Sequence, residues 1–216
     1  MEKKYLLYID ILGFANLSLK NDNSVREIYE TINELNVYKH SAFETFVFSD
    51  TILVSNRHEL HDQHSHEYHV MYSCEFVQDL LFRCTSKNLN VPFRAILSYN
   101  EFEYHQLKNL SFYHGKALIE SYNKEKSING VGLFISRDIL KYNKIFKTIK
   151  YDNDLDYVFL TQKIGMYYNF FKGETPIPSC LIEDGGEYYG LPTEIDIIKH
   201  CCPVKVQKQC LFFVTS

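Results

Sequence analysis

The chain has 216 residues, enough for one domain with a proper core and too few for two ordinary domains. Its 45% hydrophobic and 23% charged content argues against disorder, and its net charge of −4 argues against binding nucleic acid through a broad cationic surface. No apolar run is long enough to span a bilayer, no signal peptide is recognisable and the six cysteines follow no CxxC or disulfide spacing, so we expect a cytoplasmic protein with reduced thiols and no stable membrane insertion.

The first predicted element is a short apolar strand at residues 5–9, followed by a turn at Gly13. This pattern puts Asp10 at the carboxyl end of a buried strand. Apolar residues then recur with helical spacing over residues 15–35, with an interruption at 21–24. We therefore expect a helix with an early break.

The next stretch, FETFVFSDTILVS at 43–55, is rich in β-branched and aromatic residues around a polar pair, Ser49 and Asp50. Such a pattern predicts a hairpin with Asp50 at its tip. Residues 58–69 are polar and hold five histidines at irregular spacing, which predicts a surface loop without a fixed zinc geometry. The apolar spacing over residues 70–84 predicts a second helix.

A long strand is predicted from Pro92 in PFRAILSYNEFEYH, a one-sided helix after Gly115 in KALIESYNKEK, and a strand at VGLFIS, residues 131–136. The order strand, helix, hairpin, helix, strand, helix, strand resembles a ferredoxin-like α+β fold, mainly antiparallel, with helices on one face. We expect residues 1–150 to form the main domain and residues 151–216 a C-terminal extension packed on it.

Asp10 and Asp50 are each flanked by buried-strand sequence, so their carboxylates converge if the two strands are neighbours. Like charges at that separation repel, and a divalent cation such as Mg²⁺ or Mn²⁺ would neutralise them. The alternative is that Asp10 caps the following helix and Asp50 is an ordinary turn residue. The spacing alone leaves both interpretations open.

Four blocks carry a family resemblance: YIDILGFANL, FSDTILVS, FRAILSYNEFEY and FYHGKALIESYNKEKSINGVGLFIS. Over residues 5–140 they resemble class III nucleotidyl cyclase domains, and the last block looks most like the bacterial pyrimidine cyclases of Pycsar antiphage systems. The resemblance implies a homodimer with composite active sites. It also implies conversion of a nucleoside triphosphate, CTP or UTP, to a 3′,5′-cyclic mononucleotide that acts on a separate effector protein.

The resemblance also implies roles for individual residues. Two divalent ions, Mn²⁺ or Mg²⁺, would be bound by the Asp10 and Asp50 carboxylates and the Ile11 carbonyl. The phosphates would be bound by Arg94 and by backbone N–H groups of the turn formed by Leu12, Gly13 and Phe14.

The sequence departs from the family at two places. The positions of the usual transition-state Asn and Arg hold Ile119 and Asn123, so Asn123, Lys124, Lys126 or a partner-chain residue substitutes, or catalysis is weak. The two purine-reading positions align with Phe46 and Phe112, which cannot read a hydrogen-bond pattern, so a purine is disfavoured. Two other functions stay open: an inactive cyclase-like nucleotide-binding or scaffold module, and another two-metal nucleotidyl transferase.

Overall fold

The computed structural model describes residues 1–19, 23–35, 42–87, 89 and 91–160. Of the predicted C-terminal extension, only residues 151–160 belong to the described part. Four α-helices are described: α1 Phe14–Leu19, α2 Ser24–Glu34, α3 Gln63–Ser86 and α4 Lys116–Ser127. The strands are β1 Lys3–Ile11, β2 Phe43–Phe48, β3 Thr51–Asn56, β4 Phe93–Glu101, β5 Glu103–Gln106, β6 Ser111–His114, β7 Gly132–Ser136, β8 Thr148–Lys150 and β9 Leu155–Val158. A 3₁₀ helix, Arg137–Tyr142, follows β7.

Seven strands form one sheet in the order β2-β3-β1-β4-β7-β9-β8, and β5 and β6 form a separate two-stranded ribbon. Neighbouring strands are antiparallel except for the parallel pair β4 and β7. The prediction of a mainly antiparallel α+β sheet is therefore confirmed. Strand β9 pairs with β7, so this sheet continues past residue 150.

Strand β1 is apolar on both sides, and this determines where the helices pack. Tyr5, Leu7 and Ile9 belong to a core shared with α2 and α3. Leu6 and Tyr8 point the other way, into a cluster that includes Ala117 of α4. The expectation of helices on one face only is wrong, because a strand that is apolar on both faces needs cover on both.

The hairpin around Asp50 and the break between the first two helices agree with the sequence pattern. The long strand predicted from Pro92 ends at Glu101, and the chain turns at the buried Phe102 before β5 begins. No helix of the described residues has the length and apolarity needed to cross a bilayer.

The histidine-rich stretch differs most from its prediction. Helix α3 already begins at Gln63, after Asp62, whose carboxylate accepts the Ser65 N–H at 2.9 Å. The His69 ring is buried and stacks on Tyr5 and Phe43 at 4.7 and 4.6 Å between centroids. The loop prediction is wrong for residues 63–69, because a histidine packed between aromatic rings occupies a core position that a polarity pattern counts as exposed.

Candidate active site

The end of β1 and the tip of the β2–β3 hairpin lie side by side. Asp10 pairs with Thr51 across the antiparallel strands, and the Ile11 N–H donates to the Asp50 carbonyl at 2.9 Å. The turn residue Ser49 has a positive φ of 55°, and the Tyr29 hydroxyl of α2 donates to its carbonyl at 2.8 Å. These contacts fix the backbones of the two acidic residues next to each other.

The Asp10 carboxyl lies in a negative, partly desolvated environment. Burial, the Glu125 carboxylate and the Asp50 carboxylate together raise the pKa of Asp10 to about 6, and Arg94 partly opposes them. A divalent cation would relieve this repulsion, and carboxylate and carbonyl oxygens are the ligands that Mg²⁺ and Mn²⁺ prefer. The residues present therefore fit the divalent ions that the sequence predicts.

Arg94 lies beside Asp10 as its cross-strand partner on β4. Its Nη1 donates to Glu125 Oε1 at 2.6 Å, and its Nε donates to the Gly130 carbonyl at 3.0 Å. The Glu125 side chain is only 8% exposed and the Arg94 side chain 26%, so the carboxylate is the better shielded member of this ion pair. Two of the three guanidinium nitrogens of Arg94 thus have partners within the chain.

Sequence reasoning missed Glu125 and Tyr8. Glu125 follows Ala117 and Ser121 at four-residue spacing, and these two are fully buried, so the periodicity of α4 puts a carboxylate on its buried face. An acidic residue on the buried face of a helix is the sequence signal that could have identified Glu125. Tyr8 precedes Asp10 by two residues on β1 and therefore shares its face of the sheet, where burial raises the pKa of Tyr8 to about 12.

The turn after β1 differs in detail from what the resemblance implies. The Leu12 N–H donates to the Pro92 carbonyl at 2.8 Å, so within this turn only the Gly13 and Phe14 N–H groups remain as phosphate donors. Gly13 has φ of 75°, and an added Cβ would meet nothing within 4 Å. Glycine is needed here for its backbone angle and not for space. The Phe14 ring is buried in the core.

Three further predicted residues have contacts or exposure of their own. Phe46 packs on Tyr104, with ring centroids 4.5 Å apart, on the inner face of the β5–β6 ribbon. Phe112 stacks on His105 at 5.1 Å on the outer face, so Phe46 and Phe112 lie on opposite sides of the ribbon. Asn123 is exposed on α4, roughly opposite the buried Glu125.

Solved structures of known proteins share the fold of this chain. No protein-family model matches the sequence, and no curated protein matches it. Among solved structures, the chain is similar to the monomeric guanylyl cyclase domain of the RhoGC fusion protein from the aquatic fungus Blastocladiella emersonii, with a TM-score of 0.53 and 15% identity over 73% of this chain and 94% of that one.

Two further solved structures agree with the first. The guanylate cyclase domain of RhGC from Catenaria anguillulae, in complex with GTP, matches with a TM-score of 0.51 and 11% identity over 73% of this chain and 94% of that one. The adenylyl cyclase CyaB from P. aeruginosa matches with a TM-score of 0.51 and 10% identity over 72% and 93%. The described chain has the nucleotidyl cyclase fold, a mostly antiparallel sheet with helices packed on it.

Proposed function

We propose that the protein is a nucleotide cyclase, which converts a nucleoside triphosphate to a 3′,5′-cyclic mononucleotide and pyrophosphate. The observation that carries the proposal is the acid pair, Asp10 and Asp50, held side by side in a fold shared with adenylyl and guanylyl cyclases. In the reaction the 3′-oxygen forms a bond to the α-phosphorus, the bond from that phosphorus to the bridging oxygen breaks, and the hydroxyl proton leaves to a base.

The metal ligands of this proposal are the carboxylates of Asp10 and Asp50 and the Ile11 carbonyl. Two bound Mg²⁺ or Mn²⁺ ions would supply charge neutralisation of the triphosphate and of the attacking oxygen. The surroundings of Asp10 in the chain determine whether its carboxyl is ionised and can bind a metal. Because its pKa is raised to about 6, Asp10 is mostly ionised at neutral pH and protonates in mild acid.

Arg94 is the proposed phosphate ligand, and its contacts within the chain limit which of its nitrogens can bind a phosphate. Its Nη1 is held by Glu125 at 2.6 Å, so a phosphate either uses the remaining nitrogen, Nη2, or replaces Glu125. The Gly13 and Phe14 N–H groups at the end of β1 are the second proposed phosphate contact. Together these groups would orient the triphosphate so that the α-phosphorus faces the 3′-hydroxyl.

A second subunit is part of the proposal. Helix α4 exposes 61% of Ile119 and 46% of Tyr122, with the Lys126 ammonium 3.9 Å from the Tyr122 ring centroid. An apolar surface of this kind favours a protein contact. A homodimer that buries it would place Asn123, with Lys124 or Lys126, close to the partner's acid pair and complete a composite site.

The base preference is the finer part of the proposal. Phe46 contacts the rings of Tyr104 and Tyr113 and offers no hydrogen bond that could read a purine, so a purine is disfavoured. The preference for a pyrimidine triphosphate, CTP or UTP, is supported by the family resemblance alone. We further propose a cytoplasmic role in antiphage defence, in which the cyclic nucleotide activates a separate effector protein. The sequence resemblance to Pycsar cyclases supports this setting.

A cyclase-like module that binds nucleotide without turnover is the second candidate. The engagement of Arg94 by Glu125 favours it, because the main phosphate ligand is already paired within the chain. The third candidate is another two-metal nucleotidyl transferase, since paired acids on such a sheet also serve that chemistry.

One assay separates the candidates. Purified protein is incubated with each of the four ribonucleoside triphosphates and Mn²⁺, and the products are identified by mass. A cyclic mononucleotide supports the proposal, an oligonucleotide supports the transferase, and binding without product supports the inactive module. Asp50→Asn should abolish turnover, whereas Asp154→Asn, a change at an exposed turn residue, should not. Normal turnover by the Asp50→Asn variant would refute the metal assignment.

A further inference from the structure

The outer face of the β5–β6 ribbon gathers three metal-ligating side chains that take no part in the proposed cyclase site. They are Glu103, His105 and His114, and their ligand atoms all lie within 4.8 Å of one another. Within the described residues this is the one group of three or more such side chains close enough to share an ion. The histidine-rich start of α3 contributes nothing to it.

The strand pairing explains why these three meet. Glu103 and His105 are two residues apart on β5 and therefore project from the same face, and His114 is the cross-strand partner of Glu103. The His105 Nε2 lies 3.0 Å from a Glu103 carboxylate oxygen. A tetrahedral ion with ligand bonds of about 2.0–2.1 Å needs its ligand atoms roughly 3.4 Å apart, so small side-chain rotations suffice.

The ribbon is held so that this face stays outward. Its other face carries Tyr104 and Tyr113, whose rings pack on Phe46 at 4.5 and 6.0 Å between centroids. On the outer face the Phe112 ring stacks on both imidazoles, at 5.1 Å from His105 and 5.9 Å from His114. The two imidazoles are themselves 5.6 Å apart, and the Phe112 ring beside them restricts their orientation, which lowers the entropic cost of binding an ion.

We propose that Glu103, His105 and His114 form a site for a transition-metal cation of the Zn²⁺ class. Two imidazoles and one carboxylate are ligands typical of Zn²⁺, whereas Mg²⁺ prefers oxygen ligands alone. Three protein ligands on a solvent-facing surface leave the fourth position for water or another ligand. The ion would join β5 to β6 and stabilise a ribbon of only four residues per strand.

This site lies apart from the acid pair in the fold. Strand β4 runs from Arg94, beside Asp10, to Glu101, beside Lys3, and β5 follows that distant end. The two sites also differ in ligand chemistry. Zinc binding at the ribbon can therefore be measured without nucleotide and in a chain that lacks the proposed cyclase metals.

The test is a zinc chloride titration of the full chain carrying Asp50→Asn, without nucleotide, after the solvent-accessible cysteine thiols of the folded protein are alkylated. We expect one high-affinity Zn²⁺ per chain and a rise in melting temperature on saturation. His105→Ala combined with His114→Ala should lower affinity by more than the roughly 10- to 100-fold typical of losing a supporting residue. The matched control is His58→Ala with His61→Ala, two exposed histidines outside the ribbon, which should bind zinc as the parent does.

Cobalt(II) gives a second readout, because visible absorption of Co²⁺ at a four-coordinate site should disappear in the ribbon variant. Circular dichroism of each variant checks that the fold is kept. The inference is overturned if the parent binds no zinc, if the ribbon variant binds it with unchanged affinity, or if the control variant loses it equally. None of these outcomes depends on whether the protein is a cyclase.

Discussion

Asp10→Asn should stabilise the metal-free protein at neutral and alkaline pH. The pKa of Asp10 rises from 3.8 to about 6 because burial, Glu125 and Asp50 disfavour its ionised form. At about 1.4 kcal/mol per pKa unit, this shift corresponds to a penalty of about 3 kcal/mol when the carboxyl is ionised. Because Asp10 is only partly buried and solvent screens its charge, we expect a gain of about 1–2 kcal/mol in the free energy of unfolding.

The effect of Asp10 on the free energy of unfolding depends on pH in a definite direction. Between the ordinary pKa of 3.8 and the raised value of about 6, the folded state binds more protons than the unfolded state, so stability falls as pH rises through this window. Above pH 6 the penalty is fully present, and below pH 3.8 it is absent. The advantage of the Asn variant should therefore be largest at pH 7–8 and vanish near pH 4.

Thermal unfolding with EDTA at pH 4, 6 and 8 measures the effect. For a chain of this size, 1–2 kcal/mol corresponds to a melting-temperature rise of about 2–8 °C at pH 8. Added Mn²⁺ should stabilise the wild type more than the variant, because the variant lacks a ligand. Asp62→Asn is the control, since Ser65 hydrogen bonds lower the pKa of Asp62 and its loss should give no gain. A destabilised Asp10→Asn variant at pH 8, or a gain that is equal at pH 4, would refute the reasoning.

Two other substitutions test the surroundings of Asp10. Glu125→Gln removes a negative charge that raises the pKa of Asp10, so the acid limb of the pH profile of kcat/KM should move to lower pH. The same change removes the buried charged partner of Arg94, which should lower the free energy of unfolding by about 1–3 kcal/mol. An unchanged acid limb would contradict this placement of Glu125. Gly13→Ala should lower the free energy of unfolding by about 1–2 kcal/mol, through its positive φ alone. Gly115→Ala should lower it more, because the added Cβ would also overlap a backbone carbonyl. Urea unfolding measures both changes, and the reverse order would contradict the geometry.

Local pattern in the sequence was enough to predict the elements that carry the acid pair. An apolar run ending at Asp10 predicts a buried strand, and a β-branched stretch around Ser49 and Asp50 predicts a hairpin, because both signals depend only on neighbouring residues. The mainly antiparallel sheet followed from the order of such elements. The choice of Asp10 and Asp50 as a pair also needed the family resemblance.

Tertiary packing decided what surrounds that pair. The contact between Arg94 and Glu125 joins residues 31 positions apart, and no local pattern specifies which cation a buried carboxylate will meet. Packing likewise turned His69 into a core residue and put Phe112 on the ribbon face opposite Phe46. Sequence periodicity indicates which side of a helix or strand is apolar. Which residues pack against that side depends on how whole helices and strands pack together, and this packing determines the charges and rings around Asp10.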